Sequence, residues 1–156
     1  MNFPTRYTPS TRMRRMRRDA FSRQLMQENT LTVKDLILPV FILEGQNVEQ
    51  DVTSMPGVKR QSLDKLFYTC EECVNLGIPL IDLFPADLSN KSLNAEEAYN
   101  PEGLVPTAIR EIRARFPDLG VMTDVALDPY TIHGQDGIID DEGYVMNDIT
   151  IEELIK

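Results

Sequence analysis

Three nearly continuous apolar runs constrain the fold of this chain more than any other feature of its sequence. They cover residues 36–43, 78–84 and 119–127, and none of them alternates strictly between apolar and polar side chains. Runs of this kind and length are typical of parallel strands that are buried on both faces. The sequence therefore predicts an α/β fold built on a parallel sheet.

Helical patterns lie between these runs. A first helix is predicted after Ser62, a suitable N-cap residue, and it ends at Gly77. A second helix is predicted to begin at residues 100–102, where the sequence Asn-Pro-Glu has the capping chemistry of a helix start. The opening of a third helix is predicted from Ile149 onward. The apolar faces of the first two helices consist of Leu63, Leu66, Phe67, Cys70 and Val74, and of Leu104, Ala108, Ile109, Ile112 and Phe116.

The two cysteines, Cys70 and Cys73, lie within the first predicted helix, on or beside its apolar face. A C-x-x-C pair can carry redox or zinc chemistry, but reactive pairs usually lie at the amino end of a helix that follows a strand. A structural zinc site would also need a second pair of ligands. We therefore expect buried, reduced thiols.

Charge divides the chain into two unequal parts. Residues 1–23 contain seven arginines and one acidic residue, a net charge of +6, whereas the rest of the chain holds 9 basic and 24 acidic residues, a net charge of −15. Clustered arginines suit phosphate contacts, but the acidic remainder of the chain would repel a nucleic acid, so we expect no nucleic-acid partner. A transit peptide and a solvated polar tail are two further interpretations of the basic segment.

The sequence shows no sign of membrane insertion or secretion. No stretch approaches the ~20 apolar residues of a membrane span, and no signal-peptide core is present. We expect a cytoplasmic protein without a membrane partner.

Residues 124–137 place three carboxylates and the only histidine immediately after the third apolar run. Because ligands bind at the carboxyl ends of parallel strands, Asp124, Asp128 and Asp136 are candidate catalytic residues. His133 could serve as a ligand or a base, although a histidine in a glycine-rich loop is more often a hydrogen-bonding spacer. The acidic residues that follow do not fit a calcium loop, because apolar residues occupy its ligand positions, and they predict a hairpin instead.

The same loop resembles, almost letter for letter, the metal-loop signature of the porphobilinogen synthase family, also called 5-aminolevulinate dehydratases. Further segments are similar to landmarks of that family and occur in the family's order. They are residues 36–41, 54–58, 83–85, Lys91 and residues 98–103. The resemblance extends from Arg12 to the end of the chain.

The resemblance implies the first three βα units of a TIM (β/α)8 barrel, preceded by an extended N-terminal arm. The expected boundaries are residues 1–33 for the arm, which would join subunits into a homo-octamer, and residues 34–156 for an incomplete barrel domain. A complete barrel needs eight βα units and roughly 250 residues, so the chain looks like the amino-terminal half of an enzyme. A small self-contained α/β domain with three strands is the alternative.

The implied activity is the condensation of two 5-aminolevulinate molecules to porphobilinogen, with loss of water, in haem biosynthesis. In this family a lysine activates a substrate ketone as an imine, and the two family lysines lie on later strands. No lysine of this chain lies within a predicted strand, so we expect the chain alone to be inactive. Its lysines are Lys34, Lys59, Lys65, Lys91 and Lys156.

The resemblance also implies a choice of metal. Zinc-using members of the family carry three cysteines, at the positions that Ala126, Asp128 and Asp136 occupy here. Carboxylate oxygens suit magnesium or potassium better than zinc, so the implied type is zinc-independent, with Asp128 and Asp136 as metal ligands. Asp124 would either contact substrate or fix the loop through backbone N–H groups.

Two other classes of function stay open on the sequence alone. One is a non-catalytic assembly or regulatory fragment of the same fold. The other is an unrelated lyase or aldolase with a similar metal loop, which the landmarks outside that loop oppose.

Overall fold

The computed structural model describes residue 7 and residues 9–156. The chain forms two compact units, Met1–Thr32 and Val33–Lys156. Among the described residues, no helix is both long enough and apolar enough to cross a membrane.

The first unit contains two short helices, α1 (Arg15–Arg18) and α2 (Ala20–Met26). The guanidinium of Arg23 donates hydrogen bonds to the carbonyl oxygens of Arg17 and Arg18, at 3.1 and 2.9 Å. These bonds satisfy carbonyl groups at the end of α1 that have no partner within the helix. Among its described residues, the exposed large hydrophobic side chains are Tyr7, Met13, Met16, Phe21, Leu25, Met26 and Leu31.

The second unit is built on one five-stranded sheet. Its strands are β1 (Ile37–Leu43), β2 (Glu49–Asp51), β3 (Lys59–Ser62), β4 (Leu80–Pro85) and β5 (Gly120–Thr123), and its helices are α3 (Leu63–Leu76), α4 (Leu104–Arg115) and α5 (Asn147–Ile155). Along the sheet the order is β2-β3-β1-β4-β5, with β2 antiparallel to β3 and the other pairs parallel. The predicted α/β class is therefore confirmed, with a mostly parallel sheet.

The predicted strands are present, but the third is shorter than predicted. β1 and β4 begin and end within two residues of the first two apolar runs, whereas β5 ends at Thr123 and the run continues to Leu127. The backbone N–H of Leu127 donates to the side chain of Asp136, at 2.7 Å, instead of to a neighbouring strand. The last apolar residues of the run have thus already left the sheet.

β2 and β3 were not predicted from the sequence. Their residues, Glu-Gln-Asp and Lys-Arg-Gln-Ser, are polar and mostly exposed or half-buried, so they carry no apolar periodicity. β3 nevertheless pairs with the carboxyl half of β1, where Arg60 lies opposite Phe41 and Ser62 lies opposite Leu43. Backbone hydrogen bonds, which do not depend on side-chain polarity, hold this part of the sheet together.

The first predicted helix is confirmed as α3. Gly77 follows it with a left-handed φ of 77°, and the N–H of Ile78 donates to the carbonyl oxygen of Cys73 at 2.9 Å. This is the glycine-ended helix that the sequence indicated. Ser62 stands at the N-cap position, but its hydroxyl bonds the carboxylate of Asp64, at 2.6 Å, rather than an N–H of the helix.

α4 begins later than predicted. Residues 100–102, which were expected to open it, form a turn in which the side chain of Asn100 accepts the N–H of Glu102 at 3.1 Å. Gly103 then stands at the N-cap. Pro106 lies in the first turn of α4, where its missing N–H removes no hydrogen bond. The predicted third helix is present as α5 and starts two residues earlier than predicted.

α3 and α4 pack against one face of the sheet. The buried residues of this core are Val40, Ile42, Leu66, Cys70, Cys73, Ile81, Leu83, Ala108, Ile112 and Leu119. Both cysteines are free and buried, as predicted, and burial raises the pKa of Cys70 to about 12. The opposite face of the sheet is less covered, with Ile37 48% and Met122 39% exposed.

Candidate active site at the carboxyl end of the sheet

Two loops meet beyond the carboxyl ends of β4 and β5: residues 88–99, the first loop, and residues 124–146, the carboxylate loop. The N–H of Ser92 donates to the carbonyl oxygen of Tyr130, and the N–H of Ile132 donates to that of Ser92, both at 3.0 Å. A small apolar cluster is buried where they meet. Its members are Ala95, Leu127 and Ile138. The candidate catalytic residues thus lie on a packed platform rather than on a loose loop.

Asp136 closes the carboxylate loop. Its Oδ1 accepts the backbone N–H of Leu127 at 2.7 Å, a charge-assisted hydrogen bond that spans nine residues. Because the side chain of Leu127 is buried in the small cluster, the bond connects the start of the loop to its middle. Asp136 therefore has a structural contact in addition to any chemical role.

The carboxylate loop also packs against α5. The N–H of Ile138 donates to the buried hydroxyl of Thr150 at 2.9 Å. Gly137 has a φ of +154°, and a Cβ at this position would lie 2.6 Å from Cγ1 of Val145. Both the backbone conformation and the close approach require glycine here.

The predicted hairpin is present at the end of the carboxylate loop. An antiparallel bridge joins Ile139 and Val145, and the carboxylate of Asp140 accepts the N–H groups of Glu142 and Tyr144, at 3.0 and 2.9 Å. The acidic side chains of the turn are exposed. They are solvated turn residues, as predicted.

His133 connects the two loops. Its Nδ1 accepts the N–H of Gln135 at 3.2 Å, and its Nε2 lies 3.4 Å from the carbonyl oxygen of Leu93. With Nδ1 accepting, the ring proton belongs on Nε2, which then donates to Leu93. Both ring nitrogens of His133 thus contact backbone groups, which agrees with the spacer interpretation of this residue.

Asp124 is the first residue after β5 and lines a cavity of about 170 Å³. The same cavity is also lined by Tyr99 and by residues at the end of α5. There the ammonium of Lys156 bonds Glu153 at 2.9 Å, which raises the pKa of Lys156. Asp124 and Asp128 are both exposed, so their carboxylates are accessible from solvent.

No lysine was expected within a strand, but Lys59 is the first residue of β3. It forms an ion pair with Glu49 of β2, and that hydrogen bond raises the pKa of Lys59. An imine-forming lysine needs the opposite shift, since its amine must be neutral to attack a ketone. The ion pairs of Lys59 and Lys156 therefore disfavour both as nucleophiles.

One carboxylate that sequence reasoning missed lies on the less covered face of the sheet. Asp82 stands between Ile81 and Leu83, and since those two side chains are buried in the core, Asp82 faces away from it. Its Oδ1 is buried and has no hydrogen-bond partner among the described residues. Two aromatic rings, of Phe41 and Phe84, lie 6.0 Å apart near the carboxyl ends of β1 and β4. In the sequence, the only indication of this residue was that a single carboxylate interrupts an apolar run.

Comparisons with known proteins identify the family. Residues 10–156 match the family described as Delta-aminolevulinic acid dehydratase. The chain belongs to this family. A Delta-aminolevulinic acid dehydratase from Bradyrhizobium diazoefficiens is 44% identical over 146 residues, which are 93% of this chain and 41% of that protein. A chloroplastic dehydratase from Selaginella martensii is 42% identical over 159 residues, with 98% of this chain and 36% of the relative covered.

A solved structure of the same family shares the fold. It is delta-aminolevulinic acid dehydratase (porphobilinogen synthase) from Toxoplasma gondii ME49, in complex with the reaction product porphobilinogen. The TM-score is 0.85 at 40% sequence identity, and the match covers 97% of this chain and 42% of that one. The chain thus spans about two-fifths of the length of these relatives.

The side chains of the carboxylate loop offer donors that suit a hard cation. Among residues 9–156, no group of three or more His, Cys, Asp or Glu side chains is arranged to hold a metal ion. Magnesium does not need such a group, because it keeps several waters and is often bound through one or two carboxylates. The carboxylates of Asp128 and Asp136 fit that requirement, since they offer oxygen donors rather than sulfur.

Replacing Asp136 with alanine should loosen the carboxylate loop. The variant loses a charge-assisted hydrogen bond to a backbone N–H, so we expect the free energy of unfolding in urea to fall by about 1–2 kcal/mol. Asp136→Asn keeps an acceptor oxygen and should lose less. Asp141→Ala, in the exposed turn, is the matched control and should be neutral. Equal losses for Asp136→Ala and Asp141→Ala would contradict the role of this bond.

Proposed function

We propose that this chain is the amino-terminal part of a porphobilinogen synthase of the zinc-independent, aspartate-rich type. The enzyme would condense two 5-aminolevulinate molecules to porphobilinogen with loss of water. One observation carries the proposal: in a member of the dehydratase family, the aspartate-bearing loop packs into a platform directly after a parallel strand. The product bound to the similar Toxoplasma gondii enzyme supports the same substrate class.

We assign β1, β4 and β5 to the first three strands of a (β/α)8 barrel. Their parallel pairing and their adjacency in the sheet support this assignment. In such a barrel the helices lie outside and the other face of the sheet turns inward. α3 and α4 would then be outer helices, and the less covered face of the sheet would line the interior. The carboxylate loop would lie at the mouth of the barrel, where these enzymes bind substrate.

Three aspartates would support the reaction without forming covalent bonds. We assign Asp128 to the ammonium of the second 5-aminolevulinate or to a hydrated cation, through charge attraction in a partly enclosed site. Asp136 would share this role through Oδ2, while its Oδ1 keeps the loop in place. Asp124 would contact substrate from the end of β5. Magnesium, or potassium, would supply positive charge at this position when bound.

The imine-forming lysines are expected on strands beyond residue 156. Incubation of residues 1–156 with 5-aminolevulinate and borohydride should therefore leave the intact mass unchanged, whereas the full-length enzyme should gain a stoichiometric reduced adduct. Intact-mass spectrometry measures both. Lys59→Gln in the full-length enzyme is the control, because this ion-paired lysine should not be needed for the adduct. A stoichiometric adduct on any lysine of the shorter chain would show that the nucleophile lies within it.

A second expectation concerns the metal. The full-length enzyme should keep its activity after treatment with a zinc-selective chelator and should respond to added magnesium, because its loop offers carboxylates instead of thiolates. Cysteines at the positions of Ala126, Asp128 and Asp136 together should make activity depend on zinc. Metal analysis of the unmodified enzyme checks whether the carboxylate loop binds zinc. Stoichiometric zinc bound through this loop would refute it.

We further propose that the arm joins copies of the same chain into an octamer. The arm combines a net charge of +6 in residues 1–23 with the exposed apolar side chains of Met13, Met16 and Phe21, and the acidic remainder of a second copy is a complementary surface. Deleting residues 1–23 from the full-length enzyme should lower the number of subunits per assembly and weaken activity. Light scattering measures the number of subunits per assembly. An unchanged number would show that the arm is a solvated tail and not an assembly element.

A further inference from the structure

Side chains of the carboxylate loop hold both backbone polar groups of Gln135, the residue before Asp136. The N–H of Gln135 donates to Nδ1 of His133 at 3.2 Å, and its carbonyl oxygen accepts the hydroxyl of Thr131 at 2.9 Å. Thr131 is buried, with 1% of its surface exposed. The carbonyl of Gln135 belongs to the planar peptide group that leads into Asp136. The two bonds therefore fix the backbone from which the Asp136 side chain projects.

The other ring nitrogen of His133 reaches the first loop. Its Nε2 lies 3.4 Å from the carbonyl oxygen of Leu93, one residue after Ser92, which forms two backbone hydrogen bonds with the carboxylate loop. At Gly134, which has a φ of +72°, a Cβ would have no neighbouring atom within 4 Å. Packing does not hold the turn at this point, so its conformation depends on the hydrogen bonds around it.

Only one form of the His133 ring makes both contacts. Nδ1 needs a lone pair to accept the N–H of Gln135, and Nε2 needs a proton to donate to the carbonyl oxygen of Leu93. The neutral ring with its proton on Nε2 meets both requirements. An asparagine amide ends at the distance of Nδ1 from the backbone, and a glutamine amide ends at the distance of Nε2. Each of these side chains can therefore replace one of the two contacts but not both.

We propose that His133 is a positioning residue for the subsite that takes the cation or the substrate ammonium. This inference rests on the proposed function, which assigns Asp136 to that subsite. His133 acts through Gln135, because it holds the backbone that directs the Asp136 carboxylate: Oδ1 stays on the N–H of Leu127, and Oδ2 points to the cation or ammonium. Its contact with Leu93 keeps the first loop against the carboxylate loop. Groups that orient metal-binding side chains in this way commonly change metal affinity by about 10–100-fold when they are lost.

The first test measures backbone amide hydrogen exchange in the full-length enzyme, without substrate or added metal. In His133→Ala, the amides of Gln135 and Ser92 should both exchange about fivefold faster, as expected for the loss of one hydrogen bond at each place. His133→Asn keeps the acceptor for Gln135, so only the Ser92 amide should exchange faster. His133→Gln keeps the donor for Leu93, so only the Gln135 amide should exchange faster. Asp141→Ala, in the exposed turn of the same loop, is the control and should change neither rate.

The second test measures the magnesium concentration that gives half-maximal activity of the full-length enzyme. His133→Ala and His133→Gln should need about tenfold more magnesium, since both release the backbone of Gln135. His133→Asn should stay within about twofold of the wild type, because it keeps that contact. A general loss of stability would affect the Asn and Gln variants alike, so the difference between them is specific to the positioning role.

Two results would overturn the proposal: wild-type amide exchange in folded His133→Ala enzyme, or an equal magnesium requirement of the His133→Asn and His133→Gln variants. A wild-type enzyme that neither makes porphobilinogen nor responds to magnesium would contradict the proposed function instead. In that case the exchange rates of the Gln135 and Ser92 amides would still decide whether His133 holds the two loops.

Discussion

The alternation of side chains along β4 determines which of its residues pack against the helices and which face the other side of the sheet. Ile81 and Leu83 are completely buried against the helices, together with Ile42 of β1. Burying each of these side chains contributes roughly 1.5–3 kcal/mol to folding. Because successive residues of a strand point to opposite faces, the same strand presents Asp82 on the other side. A register shift of one residue would place that carboxylate in the apolar core, so the packing of the helices also determines the direction of Asp82.

The carboxylate loop has a separate source of order. Its small cluster is not part of the helix-covered core, and Leu127 belongs to it through its side chain while its backbone N–H bonds Asp136. Apolar burial and a charge-assisted bond thus act on the same residue. Asp128 comes directly after Leu127, so the contacts of Leu127 also position the backbone of Asp128. A rigid support of this kind is what substrate-positioning residues require.

The parts of the fold that could be predicted from the sequence are those with a periodic or capping signal. β1, β4 and α3 have long apolar patterns, and Gly77 ends α3 where the sequence indicated. β2 and β3 carry no such pattern, because polar edge residues pair through their backbones. The sequence also does not indicate that β5 ends at Thr123, because Val125 and Leu127 continue the apolar run after the chain has left the sheet.

The candidate site, too, could be predicted only where the sequence carries a local pattern. Position after a strand was enough to make Asp124 and Asp128 candidates, but the bond between Asp136 and Leu127 spans nine residues, and no local pattern encodes it. Asp82 was overlooked for a different reason. One carboxylate in an apolar run leaves the hydrophobic average of that run nearly unchanged, so only the observed pleat and burial distinguish it.

The double use of Asp136 has an evolutionary consequence. Its carboxylate accepts the backbone N–H of Leu127, and under the proposed assignment the same carboxylate would also be a ligand of a hard cation. Under that proposal, a substitution of this aspartate by cysteine would replace an oxygen ligand with sulfur and remove an oxygen acceptor from Leu127 at the same time. A lineage that changes its metal through this position would pass through an ancestor with a weakened loop, unless a compensating substitution elsewhere in the loop arose first. Metal preference in such a lineage would therefore be inherited together with the loop that supports it.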